Sequence, residues 1–191
     1  MRLLAAAVLF AACRLAFAGD DAFSLPDLMQ ELAKVPAAEA QFTEVRQLGL
    51  LRAPLELRGT LHYERPNRLE RRVSFPYEET IRIDGDQVSL DNPARRVHRK
   101  FSLAKLPAAF AMIEGLRATL AGDLGALERF YQVKLAGARE SWVLSLTPRE
   151  TGVASLLAQV RLQGTADRIT QIEYDEAAGD RTVITVRDTR P

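Results

Sequence analysis

The strongest constraint on this chain is the alternation across residues 55–85, LELRGTLHYERPNRLERRVSFPYEETIRIDG. Leu57, Gly59, Leu61 and Tyr63 interleave with Arg58, Thr60, His62 and Glu64, the period-two pattern of a strand with one buried face. Arg65-Pro66-Asn67 breaks the run, because proline removes a ladder donor and Pro-Asn favours a turn. A second alternating run over 69–75 stops at Pro76. Ile81 and Ile83 then flank Arg82 in a short third run before the Asp84-Gly85 turn. The segment predicts an antiparallel meander with one oily face and one basic face. An oily sheet face must be covered by something.

Two helical regions elsewhere can supply the cover. Ser24 is a plausible N-cap with Pro26 at an early helical position, and Leu25, Leu28, Met29 and Leu32 recur at three- and four-residue steps towards Val35-Pro36. So short a stripe is unstable alone and must dock on an apolar surface. Residues 103–130 are rich in alanine and leucine and predict a helix over 107–121 ending at Gly122, then a shorter one over 124–130 capped by Asp123. The remainder reads as strands over 40–51, 87–90, 95–100, 131–135, 141–147, 156–164, 168–175 and 182–188, with turns at Asp91-Asn92-Pro93, Gly137, Pro148, Gly164 and Ala178-Gly179. The expected fold is α+β, mainly β: a half-open antiparallel barrel of about eleven strands with a lid of about three short helices. A helix across the mouth of a half-rolled sheet leaves an apolar space between the layers, the sort of place that holds a lipid.

Residues 1–18 differ from the rest. Arg2 is followed by an apolar run over 3–13, and Ala16-Phe17-Ala18 fits a small-x-small cleavage site. The run is far below the roughly 20 residues needed to span a bilayer, so it predicts a secretory signal peptide cleaved after Ala18, and an exported protein forming one domain over 19–191. Cleavage would remove the only cysteine, Cys13, and stability would then rest on the core rather than on a disulfide. A competing reading takes Phe10-Ala11-Ala12-Cys13 as a loose lipobox with Cys13 acylated.

Catalysis finds little support. His62 and His98 sit mid-strand among charged or polar neighbours, where solvated face residues are more common than bases. There is no nucleophile elbow, no glycine-rich phosphate loop and no closed set of metal ligands. Asp84-Gly85-Asp86 reads as a turn rather than a calcium loop. No catalytic residue, metal or cofactor is therefore assigned. A formal charge of +1 argues against nucleic acid as a partner, and a monomer is expected. Arg68, Arg71 and Arg72, with Arg95, Arg96, Arg99 and Lys100, form two basic clusters. They read first as solvated strand faces and charge-protected edges, and second as a docking patch for an acidic partner or phospholipid headgroups.

Arg65 stands apart. Strand parity puts it on the side of Leu57, Leu61 and Tyr63, where a guanidinium needs acceptors. Carbonyls at the end of a covering helix would serve, making Arg65 a candidate latch between sheet and lid. The other reading has it snorkel past the turn to water.

The motifs LAKV at 32–35, AQFT at 40–43, Gly59-x-Leu61, RPN at 65–67, FP at 75–76, IDG at 83–85 and DNP at 91–93 resemble, in content and order, the LolA family of periplasmic outer-membrane lipoprotein carriers. The resemblance covers most of residues 19–191, including the helical insert and the strand around Trp142. It implies an unclosed barrel whose helical lid covers a cavity for acyl chains. It also implies receipt of lipoproteins from an inner-membrane ABC transporter and delivery to an outer-membrane receptor. The family arginine before Pro-Asn bonds lid carbonyls, and Arg65 occupies that position. Arg71-Arg72 stands where the family commonly has a tryptophan. The resemblance leaves room for cargo that is another lipid, and for a lipoprotein receptor or envelope-stress sensor on a similar half-barrel. The expected cavity wall comprises Phe42 from the first strand, then Leu57, Leu61, Tyr63, Leu69, Val73, Ile81 and Ile83 from the meander. Phe110, Met112, Ile113, Leu116 and Leu120 complete it from the helix over 107–121.

Overall fold

A computed structural model describes residues 23–189. The leader, its cleavage site and Cys13 lie outside the described residues. The chain begins with helix α1 (Leu25–Leu32) and strand β1 (Ala37–Gln47), followed by β2 (Leu55–Glu64), β3 (Arg68–Phe75), β4 (Glu79–Asp84), β5 (Gln87–Asn92) and β6 (Val97–Ser102). Helices α2 (Pro107–Ala121) and α3 (Leu124–Phe130) come next. The chain then runs through β7 (Tyr131–Ala138), β8 (Ser141–Pro148), the short α4 (Thr151–Ala154), β9 (Leu157–Thr165), β10 (Arg168–Glu176) and β11 (Arg181–Asp188).

All eleven strands join one antiparallel sheet in the order β6-β5-β4-β3-β2-β1-β11-β10-β9-β8-β7. The chain is laid outward from β1 to one edge, carried across, and laid back from the other edge until β11 pairs with β1, Phe42 opposite Val186. The two edges, β6 and β7, do not meet, so the barrel is open. The segment that carries the chain from one edge to the other is the helical insert. Its position over the mouth is therefore a consequence of connectivity.

Local sequence explains the elements. Ser24 and Asp27 form a reciprocal capping box on α1, and Leu28, Met29 and Leu32 are buried. The α2 helix ends at Gly122, whose φ of 66° is the left-handed conformation that glycine adopts without a Cβ clash. Asp123 caps α3 through the Ala126 N–H at 2.8 Å. At Gly59 a Cβ would stand 1.8 Å from the Arg72 carbonyl oxygen, and the β2–β3 register shifts between Arg58 and Gly59. Only glycine permits that approach of the two strands.

The first strand occupies 37–47, earlier than the 40–51 read from sequence, because residues 48–54 turn out into a loop held by the Gly49 N–H donating to Asp180 at 2.7 Å. The larger core packs α1, α2 and α3 against β1 to β3 and β7 to β11, with Leu127, Tyr131, Trp142, Leu144 and Leu146 almost fully buried. A smaller core, Ile83, Val88 and Leu103 with Phe101 and Phe110, fixes the start of the insert to β4–β6. The lid is thus seated on both flanks of the open barrel, and a hollow remains between the seats.

Candidate functional site

The hollow has a volume of about 260 Å³. Its floor is the inner face of the sheet: Leu61, Tyr63, Leu69, Ile81 and Ile83 on one side, Ile172, Ile184 and Val186 on the other. Its roof is Leu32 and Val35 from the α1 region with Ile113, Leu116 and Leu120 of α2. The i, i+3, i+7 spacing of the three α2 residues presents one stripe downward. Of the fifteen residues of α2 only Glu114 and Arg117 are charged, so nearly all of its surface is compatible with lipid.

Two arginines fasten this roof in opposite senses. From the sheet, Arg65 donates through Nη2 to the Ala121 carbonyl at 2.6 Å, one of the last-turn carbonyls that an α-helix leaves without an internal partner. The helix C-terminus also carries partial negative charge, which favours a cation there. From the lid, Arg117 is 8% exposed and donates to Glu114 at 2.6 Å, to the Asn67 carbonyl at 3.0 Å and to the Gly85 carbonyl. Asn67 and Gly85 belong to the turns that follow β2 and β4. Arg117 therefore pins the helix to the two hairpin ends beneath it.

Beyond the apolar wall lies a charged group that the sequence reading did not anticipate. Glu44, 1% exposed, points inward from β1 and accepts from Arg71 at 2.5 Å and from Arg46. The Arg71 guanidinium lies over the Phe42 ring, 5.1 Å from its centroid, with Glu79 at 3.6 Å. Arg71 and Tyr174 both border the hollow. Burial, and to a lesser degree the Glu44 charge, push the Tyr174 hydroxyl well above the usual tyrosine range, so it stays a protonated donor. Arg71 was expected among solvated strand arginines. In the structure it faces inward with Leu69 and Val73, while Arg68 and Arg72 remain exposed. The reason is parity: odd positions of β3 point into the barrel, and the paired Glu44 makes burial of the guanidinium tolerable.

The residues nominated from sequence separate into two sets. Leu61, Tyr63, Leu69, Ile81, Ile83, Ile113, Leu116 and Leu120 border the hollow. Phe42, Leu57 and Val73 lie deeper, in the packed core. Met112 packs on that core, and Phe110 packs edge-on to Phe130 at 5.8 Å as part of the seat of the lid. The split follows the strands: Ala40, Leu61 and Arg71 border the hollow, and the inward residues beyond them, Phe42, Leu57 and Val73, pack in the core. Arg65, placed by parity on the apolar face, donates to the lid helix at the Ala121 carbonyl. Arg117 and Glu44 were missed. Arg117 offered no signal beyond being one of two charges on an apolar helix, and Glu44 only its even-numbered position beside Phe42.

A family model described as "Outer membrane lipoprotein carrier protein LolA-like" matches residues 18–187. The chain is 27% identical over 187 residues to an outer-membrane lipoprotein carrier protein of Hahella chejuensis, covering 95% of this chain and 83% of that protein. Among solved structures, a LolA superfamily protein from Nitrosomonas europaea aligns with a TM-score of 0.47 at 14% identity, over 87% of this chain and 91% of that one. The Pseudomonas aeruginosa MucA/MucB complex aligns with a TM-score of 0.45 at 14% identity, over 87% of this chain and 57% of that chain. On the extent of the family match, the chain belongs to the outer membrane lipoprotein carrier LolA-like family.

Proposed function

We propose that this protein is a periplasmic carrier that holds acyl chains of lipoproteins, or of another lipid, beneath its helical lid and ferries them from the inner to the outer membrane. An inner-membrane lipoprotein-releasing transporter would be the donor and an outer-membrane protein the acceptor. The observation that carries the reading is the largely apolar hollow of about 260 Å³ roofed by α2 and closed by the Arg65–Ala121 hydrogen bond.

The magnitudes are suited to a reversible carrier. A cavity of roughly 150 Å³ holds benzene, so the closed hollow has room for roughly ten carbons, and a longer chain needs the lid raised. Burying ten methylenes would contribute up to about 8 kcal/mol at about 0.8 each. Against this stand the cost of immobilising the ligand, at least about 4 kcal/mol, and, for a longer chain that raises the lid, the loss of the latch bond, about 1.5–3 kcal/mol. The balance lies near zero, which permits both loading and release.

The test is Arg65→Leu. The variant should fold normally and retain bound lipid about tenfold longer than wild type in a vesicle-to-vesicle transfer assay, because closing the empty lid no longer recovers the latch bond. Wild-type release kinetics would remove the latch from the mechanism. Native mass spectrometry of protein purified without detergent identifies the cargo directly.

A further inference from the structure

Tyr63 borders the hollow, is 4% exposed, and its hydroxyl is buried without a hydrogen-bond partner in the protein. A phenylalanine would fill the same volume without burying an unsatisfied donor, so at this position the hydroxyl costs stability unless something else uses it. Its surroundings do not supply an acceptor. Tyr63 pairs across the sheet with Ala38 and Leu69, and the roof above contributes Leu116 and Leu120. Just past the end of the strand, Arg65 also has a buried N–H, on Nε, with no partner, but it does not border the hollow. The Tyr63 hydroxyl is therefore an unspent donor on a largely apolar stretch of the wall of the hollow.

We propose that Tyr63 is the specificity residue with which the cavity recognises an acyl carbonyl: the bound chain places an ester or carboxyl oxygen at the Tyr63 hydroxyl and its hydrocarbon along the apolar wall. The inference rests on the carrier reading and narrows it, from any apolar ligand to acyl compounds whose carbonyl lies inside. Tyr131 provides an internal comparison. Its hydroxyl is likewise buried and unpartnered, but it lies against Gly115, where an added Cβ would come within 2.8 Å of its ring, and it is not among the residues bordering the hollow.

The experiment measures displacement of an apolar fluorescent naphthylamine from wild type, Tyr63→Phe and Tyr131→Phe by methyl decanoate, decanoic acid and dodecane. Wild type should prefer the acyl ligands to the alkane. Tyr63→Phe should lose roughly two- to tenfold in affinity for methyl decanoate, the worth of one hydrogen bond, with dodecane unchanged. Its melting temperature should rise by roughly 2–4 °C per hydroxyl penalty relieved. Tyr131→Phe should also melt higher but bind every ligand as wild type does. Whether ester and acid are affected alike shows which carbonyl source the site takes. Equal losses for ester, acid and alkane in Tyr63→Phe, or no loss at all, would overturn the assignment. If wild type takes up none of the three ligands, the carrier reading itself fails, and the role of Tyr63 fails with it.

Discussion

Replacing Arg117 with methionine isolates what the lid gains from its own arginine. Methionine keeps an apolar stem of similar reach and removes the guanidinium. Lost are the hydrogen bonds to the Asn67 and Gly85 carbonyls and the contact with Glu114. The two carbonyls belong to half-exposed turn residues, and the Glu114 side chain is 25% exposed, so water can take over the acceptors and none is left orphaned. The low end of the charge-assisted range then applies, about 1.5 kcal/mol for each carbonyl bond, and the part-exposed ion pair adds less than about 1 kcal/mol. Lid docking should weaken by about 3 kcal/mol, roughly a hundredfold in the opening equilibrium at 1.4 kcal/mol per decade. Hydrogen exchange followed by mass spectrometry reads this directly, because local opening and global unfolding separate by segment. Protection over 107–121 should fall about a hundredfold while β8 and β9 hold theirs. Protection over 107–121 within threefold of wild type would refute the reasoning. So would an equal loss across the sheet, which would make Arg117 a support of the whole fold.

Glu44→Gln leaves Arg46 and Arg71 without their shared anion inside the barrel. Chemical denaturation should show a loss of about 3 kcal/mol, the low end for breaking a buried pair because the Arg46 side chain is 35% exposed and can hydrate; a loss below about 1 kcal/mol would mean the cluster is not a structural unit. On the outer face, burial raises the Glu173 carboxyl, but hydrogen bonds from Arg161 and Arg181 outweigh it and hold the group below its ordinary value of 4.5. A depressed folded value means that its stabilisation is complete above pH 4.5 and is lost as pH falls through the folded value. Thermal melts should therefore drop more steeply below pH 4.5 in wild type than in Glu173→Gln, and parallel curves would contradict the assignment.

Much of the fold was legible because its signals are local. The bounds of α2 and α3 follow from Pro107, Gly122 and Asp123, which act through backbone conformation and capping within a few residues. The half-barrel was legible for a different reason. Many short alternating strands in a row admit few topologies, and a helical insert between two blocks of strands must bridge their outer edges. Arg65 was legible because parity counts reliably along a strand that a proline ends. Where the reading erred, the residue belonged to a charged run: Arg71 between Arg68 and Arg72 reads as surface, although Leu69 and Val73 on the same parity point inward.

By itself, then, the sequence determined which residues share a face and where the helices of the insert start and stop, since period and capping are properties of neighbours along the chain. What stands opposite each face was decided only in three dimensions. Phe42, Leu57 and Val73 share a face with residues that border the hollow, yet lie in packed core around the Glu44–Arg71 pair, where inward side chains from β1, β2 and β3 meet one another. The carbonyls that receive Arg117, the carboxylate that neutralises Arg71 and the missing partner of the Tyr63 hydroxyl all depend on atoms distant in sequence. No local pattern encodes a contact whose two halves are set by different turns of the chain, and it is those contacts that shape the cavity and fasten its lid.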